Sequence, residues 1–533
     1  MIWVALHLPS LSLESFAATL AVPREDEAGA PPIALVDAHR ISATNAAARS
    51  LGVKAGLKRA TALALAPRIV LGQADTARDQ RALLPVAHAA LAFTPQVSMP
   101  HGHGHGDEAD HTVLLEVQAS LRYFGGLPRL LVRLADALKP LGHTVRIASA
   151  ATAQGAAVLA RTEPAPHCAD LAATCRALHE VPVWLFGPGR EHWEALQGMG
   201  LRKLGDLLGL PRSGLARRFG EGLLAEIDAA LGRRPDPREP IVLAPMFESR
   251  LELFARADST EQVLYGASVL LERLVAWLSA QHSFVRRFRL LMHHEGRWQE
   301  SQRTPQATTL EIALADPSRD SAHLLVLLRE RLAQLQLPAP TLELALQAED
   351  IVKRAAPNQE LFPTPQNENE GLTRLIERLQ ARLGADQVQR LTANEDHRPE
   401  RASVLRAADA ASRPGKAARG SRSIAAVAKA QGRAGVASET RATGSARPVW
   451  LQPEPEPLVE RNARPWYEGR ALRLLSGPER IEAGWWDDAL AERDYFIAEA
   501  SDGALVWIYR ERLPLSGRGD GNDAGWFLHG KFG

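Results

Sequence analysis

In Asn45-Ala46-Ala47-Ala48-Arg49-Ser50-Leu51-Gly52-Val53-Lys54-Ala55-Gly56-Leu57, residues Asn45 to Val53 read as a short helix stopped by Gly52. A second short helix, Arg59 to Ala66, ends at Pro67, and the strand Arg68-Ile69-Val70-Leu71 follows. Upstream lies the strand Ile33-Ala34-Leu35-Val36. Further out, Met1-Ile2-Trp3-Val4-Ala5-Leu6-His7-Leu8-Pro9-Ser10-Leu11-Ser12-Leu13 is a strand-like run with no carboxylate until Glu14. Downstream, beyond a Gly-His loop, Thr112-Val113-Leu114-Leu115-Glu116-Val117 reads as a strand, and Tyr123-Phe124-Gly125-Gly126 breaks that element. An amphipathic helix from Leu130 to Leu138 and a strand from Thr144 to Ala148 complete the region. This alternation predicts an α/β or α+β first domain over residues 1–165.

With 533 residues, 45% hydrophobic and 23% charged, the chain is long enough for several domains that each bury a core. A formal net charge of +1 means that nucleic-acid binding has to come from local patches. Cys168 and Cys175, seven apart in an Ala-rich stretch, suit neither a disulfide framework nor a zinc site, and point to a reducing compartment. No run approaches 18 consecutive apolar residues, and no basic segment precedes the first apolar one. The expectation is a soluble, cytoplasmic protein without a membrane partner.

Residues 166–240 read as helical, with Leu196-Gln197-Gly198-Met199-Gly200-Leu201 at their centre. Residues 241–350 carry strand Leu251–Phe254, helix Val263–Leu278, strands Val285–Met292 and Thr309–Leu314, helix Ala322–Leu335 and strand Thr341–Leu346. That is a β-α-β-β-α-β order, and the last two strands alternate polar and apolar residues as half-buried strands do. Within 351–409, Leu372, Leu375, Ile376, Leu379 and Leu383 mark an amphipathic helix closed by Gly384. The stretch 410–447 is rich in Ala, Gly, Ser, Arg and Lys and reads as a disordered basic linker. The tail 448–533 concentrates Trp450, Trp466, Trp485, Trp486, Trp507 and Trp526, which implies a folded or folding-on-binding module, or the core of a small β-rich domain.

The Asn45–Leu57 segment, followed by Ala62 to Pro67, resembles the fingers of Y-family translesion DNA polymerases. Leu115-Glu116-Val117, the Gly198-Met199-Gly200 turn and the β-α-β-β-α-β region match the same family in the same order over about residues 1–350. The resemblance implies an α+β multidomain fold of palm and fingers, helical thumb and little finger. In active members a metal-binding Asp ends the first strand, and a Ser-x-Asp-Glu segment supplies the other carboxylates. Here His7 occupies the first position and His111 and Thr112 the Asp-Glu pair, with Asp107, Glu108 and Asp110 close by. Of the triphosphate contacts, the family's Tyr falls at Ala46 and its Arg at Arg49, which also reads as a structural helix-surface residue. The lysine expected after the Thr144–Ala148 strand is absent, since none occurs between Lys139 and Lys203.

The Gly198-Met199-Gly200 turn resembles a helix-hairpin-helix whose amides face a DNA phosphate, with Lys203, Arg212, Arg217 and Arg218 nearby; the alternative is a tight turn with a solvated face. Arg286, Arg287 and Arg289 lie where they can track a duplex backbone. The glycine-spaced histidines of His101–Gly106 read as a solvated insertion rather than a metal site. Asn358-Gln359-Glu360-Leu361-Phe362 resembles the bacterial sliding-clamp-binding pentapeptide, with Asn358 at the first position, Gln359 displaced, and Leu361 and Phe362 as anchors. A loop with a buried Leu-Phe staple is the alternative.

Asp396-His397-Arg398-Pro399-Glu400, Gly477-Pro478-Glu479-Arg480-Ile481-Glu482-Ala483-Gly484-Trp485-Trp486, Arg493-Asp494-Tyr495 and Trp526-Phe527-Leu528-His529-Gly530 resemble the ImuB group, Y-family-like proteins of bacterial mutagenesis cassettes. The resemblance implies a non-catalytic adaptor in error-prone translesion synthesis during the DNA-damage (SOS) response. Its implied partners are DNA, the sliding clamp, an ImuA-type RecA-like protein and a DnaE-type error-prone polymerase. Trp450, Trp485, Trp486, Trp507 and Trp526 are the candidate partner-binding residues. No cofactor is expected. The competing reading is an active Y-family polymerase using Mg2+ held by Asp107, Asp110 or Glu116.

Overall fold

The computed structural model describes residues 1–20, 31–99, 111–295, 306–353, 365–408, 447–448, 450–487, 489–512 and 525–532. The chain divides into two compact units, Met1–Arg382 and Leu383–Gly533. The first is α+β and the second is almost wholly β.

The strand-like run at the N-terminus is two elements: β1 (Trp3–His7) and helix α1 (Leu11–Ala18). Pro9 separates them, because a proline has no N–H for a sheet ladder. Next come β2 (Ile33–Asp37), β3 (Arg40–Thr44), α2 (Ala46–Ser50), α3 (Arg59–Leu65) and β4 (Val70–Gln73). Asn45 caps α2 by accepting from the Ala48 amide, and β2 lies between antiparallel β3 and parallel β4. Helix α4 (Thr76–Leu91) starts at Asp75, whose carboxylate accepts from the Ala77 and Arg78 amides.

Strands β5 (Val97–Ser98) and β6 (Thr112–Glu116) precede α5 (Leu121–Phe124), α6 (Leu127–Leu138) and β7 (Arg146–Ala150). The four-stranded antiparallel sheet runs β5-β6-β1-β7. Val4, Leu6 and Leu8 pack with Val86 and Ala90 of α4 and with Leu130 and Leu134 of α6. Ala5 and Ala148 pack on the other side with α7 (Ala153–Ala160). Each such buried leucine or valine contributes roughly 1.5–3 kcal/mol over exposure.

Helices α8 (Leu171–His179), α9 (Gly187–Glu191), α10 (Trp193–Gly198), α11 (Leu204–Leu208) and α12 (Arg212–Ala230) follow, and α12 is interrupted at Gly220. Cys168 is buried beside this layer and both cysteines are free. Then β8 (Phe247–Ala257), α13 (Thr260–Ala280), β9 (Ser283–His294), β10 (Ala307–Ser318), α14 (Ser321–Leu332) and β11 (Thr341–Lys353) form a sheet of order β10-β9-β11-β8 with two helices. By length and composition α13 could cross a membrane, but Leu270, Leu271, Leu274, Trp277 and Leu278 are spent in the core.

Helix α15 (Pro365–Leu383) docks by a face the leucine pattern does not mark. Buried Glu377 accepts from the Ala315 and Asp316 amides and meets His323 at 2.8 Å. Leu372, Leu375, Leu379 and Leu383 are exposed.

In the second unit, β12 (Gln389–Ala393) pairs with β13 (Ser403–Ala407). Strands β14 (Trp450–Arg461), β15 (Arg464–Tyr467), β16 (Arg470–Ala471), β17 (Arg473–Ala483), β18 (Ala491–Glu499), β19 (Leu505–Glu511) and β20 (Trp526–Lys531) form one antiparallel sheet ordered β16-β15-β14-β20-β19-β18-β17. Pro453 and Pro455 fall where the β14–β20 register shifts between Leu451 and Glu456, a position where no ladder N–H is required. Both faces of this sheet are apolar: Val506, Ile508, Trp526 and Leu528 on one, Tyr495, Trp507 and Tyr509 on the other.

Candidate functional site

In the register of the first sheet, His7 at the end of β1 stands opposite Thr112 of β6 and Arg146 of β7. Residues directly opposite in antiparallel strands share a face, so these three side chains line one end of the sheet. His7 Nδ1 lies 3.1 Å from the Thr112 hydroxyl, and Arg146 pairs with Glu163 at 2.6 Å. His111 turns to the α4 side, where its Nε2 is 3.6 Å from Asp79. Sheet pairing therefore brings His7 and Thr112 together and separates them from the His111 imidazole.

Glu116 is at the other end of the same strand pair, opposite Trp3, and accepts from the Gln118 amide. Four residues of strand put it roughly 13 Å from the His7 level. Metal ions in a two-metal centre are only about 3.5–4 Å apart, so Glu116 shares no such centre with that end of the sheet. Asp107, Glu108, Asp110 and the His101–Gly106 run lie outside the described residues. Magnesium takes hard oxygen ligands, mostly carboxylates and water, and the imidazole, hydroxyl and guanidinium of His7, Thr112 and Arg146 do not fit it. No cluster of three or more His, Cys, Asp or Glu that could hold a metal occurs among the described residues.

Asp79 was not singled out by sequence. It is a buried carboxylate on α4 that accepts from the Ser12 and Ser15 hydroxyls of α1, the latter at 2.7 Å. The signal was the Asp75 cap followed by apolar Leu83, Val86 and Ala90, but Pro85 inside the helix obscured it. Arg49 donates to the Thr44 carbonyl at 2.8 Å and so braces the start of its own helix.

The Gly198–Gly200 turn corrects one expectation. Gly200 has φ +79°, a left-handed conformation that glycine adopts freely. The Met199, Gly200 and Leu201 amides, however, already donate to the Leu196, Gln197 and Leu196 carbonyls. The Arg202 and Lys203 amides donate to the Asp206 carboxylate at 3.0 and 2.8 Å. No amide of the 199–203 turn remains for a phosphate, and Asp206 adds negative charge there. Lys203 pairs with Glu180 and Arg212 with Asp228, both at 2.5 Å, whereas Arg217 and Arg218 are exposed on α12.

On the outer face of the β8–β11 sheet, Arg287 and Arg289 both meet Glu311 of β10, at 3.5 and 2.9 Å. Arg250 of β8 bridges Glu248 and Glu343. The arginine row is thus largely charge-compensated. Exposed pairs of this kind hold weakly and exchange readily for a phosphate. Arg286 is exposed on the same strand. Asn358, Gln359, Leu361 and Phe362 lie outside the described residues.

The tail tryptophans divide into two groups. Trp507 is 1% exposed and Trp526 is also buried, so neither reaches a partner; both fill the sheet core. Trp450 at 72% and Trp485 at 78% are open to solvent, and Trp486 packs edge-on against Trp485 with ring centroids 5.4 Å apart.

All four of the quoted motifs meet in this unit. Arg398 is buried between Asp396 and Asp487, at 2.7 Å from each, and lies over the Trp486 ring. The Arg398 hydrogen bonds pull the Asp487 carboxyl down to about 2. Gly484 is required here, because a Cβ would stand 2.6 Å from the Arg398 guanidinium and 2.2 Å from the Ala489 carbonyl oxygen. Glu400 accepts from Arg493 at 2.9 Å and lies 3.9 Å from His529 Nε2, whose Nδ1 is 2.8 Å from the Tyr495 hydroxyl. Burial lowers the His529 pKa and raises that of Tyr509 to about 12.

No protein-family model matches the chain. Among curated proteins it is similar to Protein ImuB of Caulobacter vibrioides strain NA1000 / CB15N, 29% identical over 507 residues, which covers 91% of this chain and 100% of the relative. The same figures hold for Protein ImuB of Caulobacter vibrioides strain ATCC 19089 / CIP 103742 / CB 15. Among solved structures, a Dbh ternary complex with partially disordered substrates is 15% identical, covers 66% of this chain and 99% of that one, and gives a TM-score of 0.36. A crystal structure of DinB from Sulfolobus solfataricus is 16% identical, covers 66% and 100%, and gives 0.35.

Proposed function

We propose, from the premise that the chain is a homologue of ImuB along 91% of its length, that it is a non-catalytic adaptor in error-prone translesion DNA synthesis during the DNA-damage response. The carrying observation is the His7–Thr112 contact, at the end of the strand pair where Y-family polymerases keep carboxylates. Arg146 on the neighbouring strand further disfavours a divalent cation there. The body of the first unit holds primer-template DNA through weakly paired arginines. Leu361 and Phe362 engage the sliding clamp, and the exposed Trp450, Trp485 and Trp486 recruit a DnaE-type polymerase and an ImuA-type RecA-like protein. Several weak contacts on one chain raise the partners' effective concentration at the lesion.

Primer extension by the purified chain with magnesium tests the first half. The expected result is no extension under conditions where a Y-family polymerase extends; extension that survives Asp79→Asn and Glu116→Gln would still refute a non-catalytic role. Pull-down of the polymerase by the full chain tests the second half, with loss of retention expected for Trp485→Ala and unchanged retention counting against it.

A further inference from the structure

Helices α5 and α6 leave the first sheet at the Glu116 end of β6, the end remote from His7. Three aromatic rings form a column there. Phe93, 9% exposed, stacks on Phe124 with centroids 5.1 Å apart, and Tyr123 stands edge-on to Phe124 at 5.0 Å. The outermost ring, Tyr123, is 83% exposed. Gly125 and Gly126 then turn the chain with φ +76° and +105°, conformations that glycine adopts freely. That turn lays α6 back against the column. The Arg133 guanidinium lies 5.8 Å from the centre of the Phe124 ring, and a Cβ on Gly125 would stand 3.0 Å from Arg129 Nη1.

Helix α6 buries Leu130, Leu134 and Leu138 and leaves Arg129, Val132 and Arg133 in solvent. Val132 is 63% exposed, and Arg122, next to Tyr123, is exposed as well. None of these three arginines has a carboxylate partner among the described residues. From β6 to Lys139 the chain carries two carboxylates. Asp136 is paired with Lys139 at 2.6 Å, and Glu116 accepts from the Gln118 amide. Residues 1–3 and 89–98, which pack beneath α5 and α6, carry none, and Asp79 of α4 is held by Ser12 and Ser15. The surface is therefore net positive, with its guanidiniums unspent.

An exposed tyrosine fixed by the rings beneath it, unpaired arginines around it and one exposed aliphatic side chain have the composition of an interface centre, where tyrosine and arginine carry most of the binding energy. A guanidinium grips a carboxylate with two parallel hydrogen bonds, whereas Val132 has no use for a phosphate backbone.

We infer that the α5–α6 surface docks an acidic peptide segment of a partner protein, its carboxylates on Arg122, Arg129 and Arg133 and an apolar side chain on Tyr123 and Val132. Charge selects this occupant, since a neutral or basic segment would leave three guanidiniums unpaired or repelled. No residue of this surface figures in the DNA, clamp or polymerase contacts proposed above.

The test uses the full chain and two fluorescein-labelled peptides, one alternating Asp with Leu and one alternating Lys with Leu, with binding followed by anisotropy. Arg129→Glu with Arg133→Glu, and separately Tyr123→Ala, change only exposed side chains, and thermal melting checks that the fold is kept. The wild type binds the acidic peptide and not the basic one. Tyr123→Ala weakens that binding roughly thirty-fold, as loss of a hot-spot aromatic does. The double reversal abolishes it and transfers binding to the basic peptide. No saturable binding of the acidic peptide by the wild type overturns the assignment. Binding that Tyr123→Ala leaves unchanged also overturns it, by reducing it to diffuse charge attraction. Labelled oligothymidylate and a blunt duplex form the third arm: DNA affinity that falls in both variants, with no competition from the acidic peptide, would make this a nucleic-acid surface and overturn the peptide assignment.

Discussion

Glu400 and Arg493 form an ion pair at 2.9 Å across 93 positions of sequence. The same guanidinium is 3.3 Å from the Tyr495 hydroxyl and lies 4.8 Å from the centre of the Tyr509 ring. The segment 396–400 is by this contact, and by Arg398, part of the fold of the seven-stranded sheet.

Replacing Arg493 with Met strands Glu400 beside an aromatic wall. Breaking a buried pair costs about 3–5 kcal/mol, and here the expected loss is roughly 2 kcal/mol because a third of the Glu400 side chain meets solvent. Urea unfolding followed by tryptophan fluorescence reads this loss, and Glu400→Gln should be milder.

Trp507 and Trp485 should behave oppositely. Trp507→Ala opens the sheet core and costs about 3–5 kcal/mol. Trp485→Ala changes stability by less than about 0.5 kcal/mol, while polymerase retention in a pull-down falls.

His88 is buried on α4, its Nδ1 has no hydrogen-bond partner among the described residues, and burial lowers its pKa to about 4. The unfolded chain takes up this proton near 6.5 and the folded chain only near 4, so the stabilisation is complete above 6.5 and is lost as pH falls. The loss approaches about 3 kcal/mol by pH 4. His88→Leu should flatten the denaturation midpoint of the full chain between these pH values.

Glu311 restrains two arginines, so Glu311→Gln should tighten duplex DNA binding and steepen its salt dependence. Two freed phosphate contacts add at most about 1.8 to the slope. An unchanged titration curve would show that Arg287 and Arg289 do not face the duplex.

What sequence revealed depended on how local the physics was. The alternation at Thr309–Leu314 and Thr341–Leu346 reports a half-buried sheet directly, and both strands are there, extended to Ala307–Ser318 and Thr341–Lys353. The absence of carboxylates at His7 and Thr112 was likewise legible, but their facing each other is a matter of register. The leucines of α15 suggested a buried stripe, yet tertiary bonds from Glu377 turned a different face inward. Tryptophan count could not separate Trp507 from Trp485, because Trp507 is held in the paired strand β19 whereas Trp485 falls in the turn after β17. Buried Arg273 of α13 meets Ser249 and Arg250 of β8 only through tertiary packing, and no short motif announces it.

The compact second unit includes residues 383–408 as well as 447–532, so the basic stretch 409–446 leaves from and returns to the same folded body. The β12–β13 pair and the seven-stranded sheet lie on either side of that stretch in sequence, yet Arg398 and Arg401 join them through Asp487. The hairpin and the sheet are therefore expected to unfold together, as one cooperative body.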